Sequence, residues 1–158
     1  MEKLVGYRKC LTEQIVILEK ILMKNKDLVS ILKVLESIGI DSCYVGAGSI
    51  NQTVFNYYHG YQINYGIKDY DVVYFDEDLS YEKEDFVIRK IKKGLGNLAD
   101  LVDIKNEARV HLWYNEKYHT NRNPYSSVED AIASWGATIT CVGVRIKNGK
   151  LEVYAPYG

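Results

Sequence analysis

The sequence predicts an α+β fold: a mixed β-sheet flanked by helices, with two helices leading the chain and a β-hairpin closing it. Three observations carry that expectation. Apolar residues recur at helical spacing in the N-terminal part, as in Ile15, Leu18, Ile21 and Leu22. Short β-branched and aromatic runs then alternate with helical segments, as in sheets covered by helices. The chain ends on two alternating stretches around Asn148-Gly149, a pair suited to a two-residue hairpin turn.

The elements follow in order. A first helix is expected over 12–25 with Thr12 as its cap, and a second over 27–38 stopped by Gly39. Cys43 to Gly46 is a short strand, followed by a helix opened by Ser49. A polar loop over 59–68 leads into the run Val72, Val73, Tyr74, Phe75, whose composition is that of a buried strand. Asp76 and Asp78 start the next turn, and a charged amphipathic helix over 80–93 ends near Gly94 and Gly96. In the strand over 101–106, Val102 and Ile104 share one face and Asp103 points to the other. A helix over 127–135 has Ser126 and Glu129 in capping-box spacing.

The 158 residues have the length of one domain, a helical part over 1–39 and a core over 40–158. Hydrophobic content of 47% and charged content of 26% are ordinary for a globular chain. The net charge of −1 argues against extended nucleic-acid binding, which calls for excess Lys and Arg. Three dispersed cysteines fit reduced thiols better than a disulfide framework, and no apolar run approaches the ~18 residues of a membrane span. With no apolar core in the N-terminal segment, a cytoplasmic location and no membrane partner are expected. Fourteen tyrosines against three phenylalanines imply a tyrosine-rich surface or, more sharply, a pocket for a flat ring.

Candidate chemistry concentrates in three places. "GAGS", Gly46 to Ser49, joins a strand to a helix. Asp69 and Asp71 stand two apart at the mouth of a strand, on one face. Asp103 is the lone acid of another strand. Each has an ordinary reading: a tight turn, a solvated acidic pair, an edge residue. Together they make an oxygen-ligand set for Mg²⁺ beside backbone N–H groups that can cradle a phosphate. Two neighbouring carboxylates need a positive charge between them, and Mg²⁺ would supply it.

These residues, Gly46-Ala47-Gly48-Ser49, then Asp69-Tyr70-Asp71, then Asp103, resemble the DNA polymerase β-like nucleotidyltransferase superfamily. The segments "DYDVVYFD", "VDIKNEARVHLW", "NPYSSVEDAIASW" and "APYG" are similar to a bacterial group of small nucleotidyltransferase-like proteins. The resemblance spans 46–158 and implies a polymerase β-like core, so that 40–158 would be catalytic. It implies transfer of a nucleoside monophosphate from an NTP to a hydroxyl of a small-molecule or protein acceptor, with pyrophosphate released. Asp69 and Asp71 would hold two Mg²⁺ ions, with Asp103 ligating the ion near the nucleophile and able to take its proton. Either Gly46 or Gly48-Ser49 would be the phosphate turn.

Further candidates flank this set. Lys68 could touch a phosphate, and Arg109 could clamp one in two-pronged fashion. His111 could orient a carboxylate; alternatively, residues 106–113 are a helix start with His111 or Trp113 packed in the core. Tyr65 and Tyr74 are candidates for choosing the base. Arg89 to Lys93 reads as a solvated helix face. The spacing of His59 and His119 supports no zinc site, and nothing supports a hydrolase triad. Two rival functions use the same residues: a non-catalytic nucleotide- or partner-binding module, and a metal-dependent phosphohydrolase.

Overall fold

The computed structural model describes residues 5–40 and 42–158. Helices α1 (Leu11–Leu22) and α2 (Lys26–Ile38) lead into β1 (Cys43–Gly46), α3 (Gly48–His59) and β2 (Tyr70–Tyr74). Helix α4 (Tyr81–Leu95) and a 3₁₀ turn carry the chain to β3 (Val102–Asn106). After α5 (Val110–Tyr118) and α6 (Val128–Ala133), the hairpin β4 (Gly143–Lys147) and β5 (Lys150–Tyr154) ends the order. The five strands form one mixed sheet in the order β3-β2-β1-β4-β5, with β2 and β3 parallel and the other pairs antiparallel. The expected α+β class, leading helices and closing hairpin are all present. Asn148 and Gly149 both have positive φ, the geometry that a two-residue turn requires.

Strand alternation divides the sheet into two faces. Val45, Tyr70, Val72, Tyr74, Val102 and Ile104 point to one side and form the main core with Leu28, Ile31 and Leu32 of α2 and Val87 and Ile91 of α4. Helices α2 and α4 approach so closely that a Cβ on Gly94 would lie 2.9 Å from Val34 Cγ1. On the opposite face, Tyr44 and Val73 are covered by Val128 and Ile132 of the short α6. Towards β2 and β3 this cover ends. The polar residues of β3, Asp103 and Lys105, emerge there.

The caps differ from expectation in three places. Helix α1 is capped by Cys10 with Glu13 returning to it, so Thr12 lies inside the first turn. Helix α3 starts at Gly48 behind Ala47, which makes Ser49 its second residue. Ser127, one position later than expected, caps α6 by accepting from the Asp130 N–H; Ser126 donates to the Asp130 carboxylate instead. Asp76 and Asp78 do initiate the turn before α4, each accepting a backbone N–H two residues on. No helix among the described residues is long and apolar enough to cross a membrane.

Candidate active site

The site is built where the antiparallel and parallel parts of the sheet meet. Asp71 of β2 lies in register with Asp103 of β3, and directly opposed residues of a parallel pair share a face. Asp69 precedes β2 on the same parity. The strand is held by its buried neighbour Tyr70, whose hydroxyl donates to Asn25 Oδ1 at 3.1 Å while Asn25 Nδ2 donates to Thr53 Oγ1 of α3 at 2.9 Å. One buried asparagine thus fixes α2, α3 and β2 relative to one another.

Lys105, two residues beyond Asp103 and on the same face, places its Nζ 2.6 Å from Asp103 Oδ2 and 4.0 Å from Asp71 Oδ1. The positive charge between the carboxylates is therefore a lysine in this structure, a residue the sequence reading passed over. Burial pushes the Asp71 carboxyl above its usual range; Lys105 pulls it down, and Asp69 and Asp103 push it further up. Lys105 itself is raised: burial opposes its charge, but the hydrogen bond and attraction from Asp103, with help from Asp71 and Glu107, outweigh that. Among the described residues, no three His, Cys, Asp or Glu side chains converge as a metal-holding group. Asp71 and Asp103 nevertheless fit Mg²⁺: they are oxygen donors on one face, with side chains 32% and 48% exposed, and this ion needs only one or two carboxylates plus waters.

The glycine turn divides its labour. Gly46 lies inside β1, where a Cβ would fall 2.6 Å from the Val142 carbonyl oxygen and 2.8 Å from Trp135 Cη2, so it serves close packing. Gly48 meets nothing within 4 Å. Between them Ala47 holds φ 55° and ψ −135°, a conformation ordinarily left to glycine, at a cost of about 1–3 kcal/mol. Ser49 is buried, and its hydroxyl donates to the Gly46 carbonyl at 3.0 Å. Gly48, Ser49, Gln52, Lys68 and Asp69 line one groove of about 220 Å³. Asn56 pins the loop carrying Lys68 by donating to the carbonyls of Ile63 and Tyr65.

Arg109 is not gathered to this groove. It is buried, paired with Glu84 of α4 and stacked 4.1 Å over the Tyr81 ring, which makes it a strut between the end of β3 and α4. His111 is half-buried on α5, its Nδ1 without a hydrogen-bond partner. Trp113 is 44% exposed and not part of the core. Tyr74 is a core residue, and exposed Tyr65 lies tilted against Tyr61, with ring centroids 5.4 Å apart.

A second hollow, of about 420 Å³, is bordered by Asp71. Lys105 and Glu107 border it with Asp71, and its walls include Trp113, Tyr114, Tyr125 and Trp135. Arg122 braces one wall, lying 4.5 Å over the Tyr114 ring and donating to the Tyr125 hydroxyl. Burial pushes the Glu107 carboxyl up to about 7, with Lys105 opposing, Asp71 adding to the rise and Arg122 opposing. The ring pocket that the tyrosine count hinted at thus draws on Tyr114 and Tyr125.

A sequence model described as Nucleotidyltransferase matches residues 33–158. The chain belongs to this nucleotidyltransferase family. A solved NMR structure described as revealing a CCA-adding enzyme head domain is similar to it, with a TM-score of 0.70 and 26% identity over 89% of this chain and 72% of that one. The fold of this nucleotidyltransferase-family chain is thus that of a nucleotidyltransferase head domain. No curated protein matches it.

Proposed function

We propose that the protein transfers a nucleoside monophosphate from an NTP to an acceptor hydroxyl, releasing pyrophosphate, with Mg²⁺ held by Asp71 and Asp103 and reached by Asp69. The observation that carries this reading is the registered Asp71–Asp103 pair beside the groove that Gly48, Ser49 and Lys68 share with Asp69. The first N–H groups of α3 and the Lys68 ammonium would bind the triphosphate oxygens, and the strained Ala47 would aim that turn. Mg²⁺ would neutralise charge on the reacting phosphates. Asp103 would accept the acceptor's proton, and Lys105 would withdraw from the carboxylates or turn to a phosphate oxygen as the ion enters. Catalysis of this kind rests on positioning and charge neutralisation.

The Lys105 bridge favours one rival, a nucleotide-binding module without catalysis, because an internal ammonium already occupies the cation's place. Titration with ATP, GTP, CTP and UTP, with and without Mg²⁺, separates the two by backbone amide NMR. Shifts at Gly48, Ser49 and Asp69 that require Mg²⁺ and vanish in Asp71→Asn support the transferase. Shifts indifferent to both Mg²⁺ and Asp71→Asn would leave the binding module standing.

A further inference from the structure

The hollow beside Asp71 shares no lining residue with the groove of Gly48, Ser49, Lys68 and Asp69. Glu107 is 4% exposed and lines this hollow, with the Lys105 and Arg122 charges acting on its carboxylate. Burial still pushes this carboxyl up, so a further cation seated in the hollow would be met favourably. The walls around it are aromatic, Trp113, Tyr114, Tyr125 and Trp135, and aromatic faces attract organic cations and cover flat or puckered rings. Its volume of about 420 Å³ is that of a small-molecule site.

Position argues the rest, given the nucleotidyl-transfer reading on which the inference depends. Attacking and leaving oxygens lie roughly in line in phosphoryl transfer. With the pyrophosphate leaving into the groove bordered by Asp69, the nucleophile enters from the hollow bordered by Asp71. We propose that this aromatic cleft is the acceptor site, and that it takes a ring-sized amino alcohol whose ammonium group pairs with Glu107 while its hydroxyl faces Asp71. The hydroxyl oxygen forms the bond to the α-phosphorus as the bond from that phosphorus to the β-bridging oxygen breaks. The hydroxyl proton passes to Asp103, and pyrophosphate carries away the electron pair.

The chain's two tryptophans, Trp113 and Trp135, both line the cleft, so their indole N–H resonances report its occupancy. The probe is trans-2-aminocyclohexanol, compared with the neutral trans-1,2-cyclohexanediol, at about pH 8, above the value of about 7 to which burial pushes Glu107. The amino alcohol is expected to shift both indoles with an affinity about tenfold above the diol's, and Glu107→Gln to erase that preference. Trp113→Ala, at an exposed position of α5, should weaken both probes and guards against a misfolded first variant. Equal binding of the two probes, or a preference that survives Glu107→Gln, would overturn the proposal. So would stronger indole shifts from a free nucleoside, which would make the cleft the seat of the base. The amides of Gly48, Ser49 and Asp69 test the donor reading separately, so either can fail without masking the other.

Discussion

Asp71 and Asp103 face each other across the parallel seam of the sheet, and a single ammonium, that of Lys105, serves both. Register supplies the pair and alternation supplies the lysine, since residues 103 and 105 of one strand share a face. The three acids of this face repel one another, and the lysine offsets that repulsion in the absence of metal.

Lys105→Met should therefore destabilise the metal-free protein by about 1 kcal/mol at low salt, and less at high salt, because the group is half-exposed. The same change should tighten Mg²⁺ binding by about fivefold, since the ion no longer competes with an internal cation. Melting curves in EDTA and in Mg²⁺ check both statements. A variant that loses stability equally in the two buffers would remove Lys105 from the metal's place.

The two glycines of the turn should separate cleanly. Gly46→Ala drives a methyl group into the Val142 carbonyl and the Trp135 ring, and should cost about 1–3 kcal/mol in thermal unfolding. Gly48→Ala meets open space and should leave the melting temperature nearly unchanged, yet weaken NTP binding by crowding the groove. Equal losses of stability would contradict the division of roles.

Arg109→Met should lower stability by about 3 kcal/mol, because it leaves the half-buried Glu84 without its partner and strips the Tyr81 ring. Mg²⁺-dependent NTP affinity should hold, measured on the folded fraction at low temperature. A tenfold loss of that affinity would return Arg109 to the phosphates.

What could be read from the sequence was local. Strand alternation placed Asp71 and Asp103 opposite to Val72 and Ile104, and Asn148-Gly149 marked the hairpin, because both depend on near neighbours. The caps slipped by one or two residues where equivalent candidates stood side by side, as with Ser126 and Ser127. At Ala47 a strained backbone began the helix before the residue best suited to cap it. Helix α5 lacks an apolar stripe: Leu112 and Trp113 are exposed and Val110 alone is buried, so no periodicity announced it. Lys105 was legible by the same alternation that singled out Asp103. The cleft was not, since its walls come from positions as distant as Ala47 and Thr140 and meet only through the sheet.

Glu107 makes stability depend on pH in a definite direction. Its folded-state value, pushed up from an ordinary 4.5 to about 7, means that the folded protein binds this proton more tightly than the unfolded chain. Below about 4.5 the group is protonated in both states and imposes no penalty; from there to about 7 the unfolded chain releases a proton that the folded protein keeps, and stability falls. The full penalty, reached above that value, is at most about 3 kcal/mol. Glu107→Gln removes the charge without changing the shape, so it should unfold at a higher temperature than the parent at about pH 8 and show no such gain at about pH 4.5. Calorimetric scans of both proteins across that range check the slope. A gain of equal size at both ends would mean that packing, and not the proton, sets the cost of Glu107.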